Sequence, residues 1–114
     1  MIGILTKLTE LNKEWLDKSR LLLDTHDKIN TKLTEISKKA ITYELEVQKD
    51  VSLKNKDARE SQLKLLKNSD EDILSIRDNL SILNLEKKYL EIAIIHLDAE
   101  MKNIRSFLRS KESD

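Results

Sequence analysis

Two histidines, a run of three carboxylates and a threonine beside a histidine are the places in this chain where residue types suggest chemistry. His26 and His96 are the sole imidazoles, and cysteine is absent. Helical metal sites pair histidine with a second ligand at fixed spacing, and neither Glu-x-x-His nor His-x-x-x-His occurs. Asp70, Glu71 and Asp72 could gather a cation, but they lack the glycine turn and spaced ligands of a calcium loop. They suit the first turn of a helix, where the dipole favours negative charge. Gly3 is the single glycine, which excludes a glycine-rich phosphate loop. Thr25 adjoins His26, yet sequence neighbours do not face each other on a helix and make no nucleophile–base pair. The expectation is a protein that is not an enzyme, with no cofactor, no metal and no small-molecule substrate.

The elements that would carry any function are helices. The 114 residues include no proline and one glycine, so tight turns and hairpins are nearly ruled out. Charged residues make up 37% and apolar residues 39%, the balance of long amphipathic helices. Trp15, Tyr43, Tyr89 and Phe107 are the only aromatics, so the core must be aliphatic. The predicted fold class is all-α: a long-helix hairpin or coiled-coil-like bundle forming one domain over 1–114. No stretch reaches a membrane span, because Leu90 to Leu97 is interrupted by Glu91 and His96. Without cysteine, signal core or membrane span, the expected compartment is the cytoplasm.

Near the C-terminal end an apolar seam alternates spacings of three and four: Ile73, Ile76, Leu80, Leu83, Lys87, Leu90, Ile94, Leu97, Met101, Ile104, Leu108. That spacing keeps side chains on one stripe of a helix. Lys87 alone is polar; it either fixes register or lays its stem on apolar surface and extends its ammonium to water. Towards the N-terminus Leu8, Trp15, Leu22, Ile29, Ile36 and Tyr43 recur every seven residues. Their companions are Ile4 and Leu11 early, then Leu33, Ala40 and Val47, with a drift in between that a straight helix produces. The spacing predicts a helix over about 3–50, with a competing break near 24–31, where Asp24, Thr25, Asp27, Asn30 and Thr31 could cap.

Six acidic residues precede basic ones by four: Glu14–Lys18, Asp24–Lys28, Glu35–Lys39, Asp50–Lys54, Glu60–Lys64 and Asp98–Lys102. Each such pair supports a helix by roughly a few tenths of a kcal/mol. Asp50 to Asp57 is the weakest helical stretch, and Ser52 or Asn55 could cap a second helix over about 55–67. Ser69, with Asp72 three residues on, marks the start of a last helix over about 70–110.

The last helix carries a second apolar stripe: Ile82, Leu85, Tyr89, Ile92, and Ile95 or His96. It is offset by two residues, about 200° around the axis. One stripe suffices for a helix on the surface of a monomeric hairpin. Two stripes call for cover on both sides, so Ile82, Leu85, Tyr89 and Ile92 are the predicted oligomer or partner interface. The alternative is a compact bundle in which one chain covers both faces.

Net charge is zero, with 21 basic and 21 acidic residues, which argues against a simple polybasic nucleic-acid binder. Charge is uneven along the chain, however. Lys38 to Lys67 holds eight basic and five acidic residues, Asp70 to Glu100 three and eight, Met101 to Lys111 four and none. Lys102, Arg105 and Arg109 share one helical face and could touch phosphates. The competing role is a solvated face that balances the helix C-terminus. These blocks would also let copies of the chain attract one another.

In layout the chain resembles small all-helical tailed-phage proteins, and among them the UvsY-type recombination mediators. The stretches that carry the likeness are Leu11-Asn12-Lys13-Glu14-Trp15-Leu16, Lys54-Asn55-Lys56-Asp57-Ala58-Arg59 and Lys102-Asn103-Ile104-Arg105-Ser106-Phe107. The resemblance implies an oligomeric ring in a host cytoplasm that binds single-stranded DNA and helps to load a recombinase. Carried over by position, Lys54, Lys56, Arg59, Lys102, Arg105 and Arg109 would be the phosphate contacts. The function expected from sequence is thus a non-enzymatic, homo-oligomeric helical protein acting as a recombination accessory. The alternative is a protein-binding assembly factor, chaperone or scaffold with no nucleic-acid role.

Overall fold

The computed structural model describes the backbone of residues 2–113 and the side chains of 2–112. It contains three helices, α1 (Ile2–Lys49), α2 (Lys56–Ser69) and α3 (Glu71–Ser113), and no strand among the described residues. The all-α expectation therefore holds. The helices contribute to two compact units: Met1–His26 with Leu85–Asp114, and Asp27–Asn84.

α1 runs unbroken through residues 24–31. The candidate caps there are spent inside the helix: Thr25 Oγ1 donates to the Leu21 carbonyl at 2.8 Å and Thr31 Oγ1 to the Asp27 carbonyl at 3.0 Å. Hydroxyls that back-bond to the preceding turn tolerate a helix interior instead of ending it.

The seven-residue row of α1 lies inward as expected, from Leu8 to Tyr43. Its companion row differs. The inward positions continue as Lys18, Thr25, Lys32 and Lys39, and the drift is delayed until Ala40 and Val47. Leu33, expected inward, is 48% exposed, while Lys32 beside it is half-buried. Lysine stems can line such a face because their ammonium groups reach past its edge.

In the first unit, Leu11, Leu97 and Met101 form the buried core, with Leu8, Trp15 and Ile104 packed against it. Lys18 Nζ sits 5.9 Å from the centre of the Tyr89 ring, a cation–π contact. Position 11 meets 97 and 101, and position 18 meets 89, so the two helical segments run antiparallel. Each buried aliphatic side chain contributes roughly 1.5–3 kcal/mol relative to exposure.

The second unit joins the rest of α1 to α2 and the start of α3, and buries Val47, Ile73 and Ile76. Its turns are built by side chains, because the chain has no glycine there. Asp50 Oδ1 accepts from the Ser52 amide at 3.0 Å and the Ser52 hydroxyl at 2.6 Å, which closes the turn after α1. Asn55, not Ser52, caps α2 and accepts from the Ala58 amide at 2.7 Å. At the next boundary Ser69 is the last residue of α2, and Asp70 caps α3 by accepting from the Ile73 amide at 3.0 Å. The expected Ser69 cap is thus displaced by one residue. Asp70 serves better because its second oxygen also reaches α1.

Candidate interaction surface

The two stripes of α3 separate cleanly by burial. Every member of the first seam from Ile73 to Leu108 is buried or half-buried, Lys87 included. The second stripe is open: Ile82 is 58% exposed, Leu85 68%, Tyr89 66%, Ile92 55% and Ile95 65%. His96 is exposed as well. Within the first unit helical periodicity puts Leu85, Tyr89, Ile92 and His96 on one line, with Ile95 beside it. Ile82 belongs to the second unit, and the residues from Leu85 onward belong to the first. Scattered exposed leucines are ordinary on a protein surface; Leu85, Tyr89 and Ile92 in line with Ile95 beside them are not scattered.

The six basic candidates are all exposed. Lys54, Lys56 and Arg59 lie in the second unit, at and before the start of α2, and Lys56 is partnered by Glu60 at 3.7 Å. Lys102, Arg105 and Arg109 lie near the end of α3, in the first unit. Phe107 is 45% exposed, and Lys111 Nζ stands 5.6 Å from the centre of its ring.

The ion pairs differ from the expected four-residue pattern. Glu35 pairs with Lys32 at 3.7 Å, and Glu60 with Lys56. Lys39 leaves its own helix and reaches Asp72 at 3.0 Å and Asp70 at 3.7 Å. Cross-helix carboxylates win because they already crowd the start of α3, where Lys39 stands opposite them.

That corner joins α1 to the start of α3 through polar groups. The Tyr43 hydroxyl donates to Asp70 Oδ2 while Asp70 Oδ1 caps α3. The Tyr43 hydrogen bond, then the Ile73 amide, hold the Asp70 carboxyl below its ordinary 3.8. The same bond to Asp70 pushes the Tyr43 phenol above 10.0, and the bond to Asp72 raises the Lys39 ammonium above 10.5. Bonds from Ser52 likewise lower the Asp50 carboxyl. Such an arrangement fastens helices together.

Comparison with protein-family models, curated proteins and solved structures finds no match to this chain.

His26 is half-buried and His96 exposed, and among the described residues no three His, Cys, Asp or Glu side chains gather as a metal site. Among the described residues no helix is long and apolar enough to cross a membrane. Sequence reasoning missed the inward polar row of α1. Its signal was present: Lys18, Thr25, Lys32 and Lys39 are themselves seven apart and in phase with Leu11.

Proposed function

We propose that this chain is a non-enzymatic helical protein that works by assembling with copies of itself through the outer face of α3. The exposed cluster of Leu85, Tyr89, Ile92 and Ile95 on the first unit carries this reading. Four large side chains more than half exposed leave on the order of 400 Å² of apolar surface, within the range of the largest patches that monomers display. A contact of about that size from each copy forms the core of an ordinary interface. The acidic and basic blocks of the chain add attraction between copies. Action in a cytoplasm fits a chain without cysteine.

One observation favours a further role in binding single-stranded nucleic acid. Lys102, Arg105 and Arg109 are exposed, and no acidic residue stands between Met101 and Lys111. A stripe of that kind tracks phosphates. The recombination-accessory reading adds a recombinase as a protein partner and rests on the resemblance to phage mediators.

Light scattering on a sizing column, at low and moderate salt, with and without a labelled single-stranded oligonucleotide, tests both readings. Assembly is expected at both salts, and Leu85→Asp with Ile92→Asp should reduce it to monomer with helicity kept. A wild-type chain that stays monomeric at about 100 μM, a hundredfold above a micromolar Kd, overturns the assembly reading. Co-elution with the oligonucleotide at low salt, weakened by Arg105→Glu with Arg109→Glu, supports the nucleic-acid role; no binding at low salt removes it.

A further inference from the structure

We propose that the cleft between α2 and the start of α3 binds a phosphate group, held by Lys64, Lys67 and Arg77. The site lies wholly within the second unit and is independent of the assembly reading above.

α2 ends at Ser69 and α3 starts at Glu71, so the last turns of one helix and the first turns of the other share a corner. Lys64 and Lys67 are three residues apart and neighbours on one face of α2. Arg77 stands across the corner, and its Nη1 donates to Asn68 Oδ1 at 3.1 Å. That bond holds the guanidinium and leaves most of its donors open. The three basic side chains, with Asn68, Leu63 and Glu60, line a cleft of about 310 Å³.

Three cations thus converge with little to balance them. Among the described residues no carboxylate forms an ion pair with Lys64, Lys67 or Arg77. Glu60 is the acidic residue at the cleft, and its Oε1 lies 3.7 Å from Lys56 Nζ instead. Lys67 is half-buried, so its stem is packed and its ammonium has less freedom to lose on binding than that of an exposed lysine. A phosphate group supplies what is missing: up to two negative charges, and enough oxygens for a planar fork and two ammonium groups together. A carboxylate matches the fork alone and leaves the two lysines with a single charge to share. The competing role for these cations is to support the carbonyls that end α2. That role accounts for Lys67 in its last turn, but not for Arg77, which is on another helix and near its start.

Calorimetric titration of the full chain with inorganic phosphate and with pyrophosphate, at constant ionic strength, tests the proposal. Saturable binding is expected, tighter for pyrophosphate. Lys67→Gln with Arg77→Gln should weaken it by about tenfold or more, because charge-assisted hydrogen bonds are lost. Lys102→Gln with Arg105→Gln removes the same charge from the first unit and should leave it unchanged. Glu60→Gln should tighten binding, and Glu100→Gln should not. If circular dichroism shows that the Lys67 and Arg77 double variant has lost helicity, Arg77→Lys takes its place. That change keeps the charge, removes the fork and should weaken binding by about threefold or more. A further arm with a labelled single-stranded oligonucleotide separates the sources of the phosphate. Competition with pyrophosphate identifies nucleic-acid phosphate as a ligand of the cleft, and binding of pyrophosphate without competition confines the cleft to free phosphates. No saturable binding of either ion overturns the proposal. So does an equal loss in the Lys102 and Arg105 variant, or full binding by a folded chain that lacks both Lys67 and Arg77.

Discussion

The two units of this molecule close on different chemistry. In the first, Leu11, Leu97 and Met101 meet with Leu8, Trp15 and Ile104 against them, and the contact is apolar. In the second, Val47, Ile73 and Ile76 are joined by a polar corner: Tyr43 and Lys39 of α1 on Asp70, the cap of α3, and Asp72 in its first turn. An apolar contact is held by area and resists salt and acid. A corner of hydrogen-bonded ions is specific in register but depends on protonation. The contrast shows how a chain with one glycine and no proline makes a reversal at all. Side-chain oxygens of Asp50, Asn55 and Asp70 supply the turn and caps, and those carboxylates and amides are concentrated in the second unit.

The contrast can be broken most strongly from the apolar side. Leu97→Ala removes a buried aliphatic from the centre of the first unit and should cost about 2–5 kcal/mol, read by thermal or urea unfolding followed by circular dichroism. The loss should be the same at pH 5 and pH 7, because no titrating group takes part.

Acid should act on the other unit. Asp70 is held below its ordinary 3.8 in the folded chain, so its contribution is complete above that value and fades as pH falls through the lower, folded one. Tyr43 and Lys39 are raised above 10.0 and 10.5, so theirs is complete below those values and fades as pH rises through the folded ones. The second unit should therefore be firmest between about pH 4 and 10. Asp70→Asn should flatten the acid limb of a helicity titration, and amide exchange should place the opening in residues 27–84. An acid limb unchanged by Asp70→Asn would mean that the corner is not the acid-sensitive contact.

The smallest effect concerns a single cap. Asn55→Ala should lower stability by about 1 kcal/mol, because the Ala58 amide loses its acceptor. Fraying should be confined to the first turn of α2 in exchange measurements. Restoration by Asn55→Asp or Asn55→Ser would identify the cap as the cause.

Much of this architecture was legible in the sequence because its strongest signals are periodic. The first seam of α3 could be read residue by residue, and all of it lies inward. The second stripe could also be read, and its exposure follows from the offset of two positions. What was not legible depends on partners distant in sequence. Periodicity places Lys32 and Leu33 a single residue apart, and apolarity chose Leu33. The inward position went to Lys32, because a lysine stem can lie on that face and let its charge escape. Ser69 and Asp70 are both good caps in isolation. Asp70 takes the role because Tyr43, twenty-seven residues earlier, donates to the same carboxylate. Lys39 likewise has an acidic neighbour at the favourable spacing on its own helix and abandons it for Asp72. Local rules fix the helices; competition between local and distant partners decides caps and ion pairs.

Trp15 has a consequence of its own. It is the only tryptophan, it packs against the Leu11, Leu97 and Met101 cluster, and its indole nitrogen is buried with no protein acceptor. Its ring is partly buried, and its emission should shift to the red when water reaches the rest of it. The molecule thus contains a built-in optical gauge placed in the first unit, against the Leu11, Leu97 and Met101 cluster.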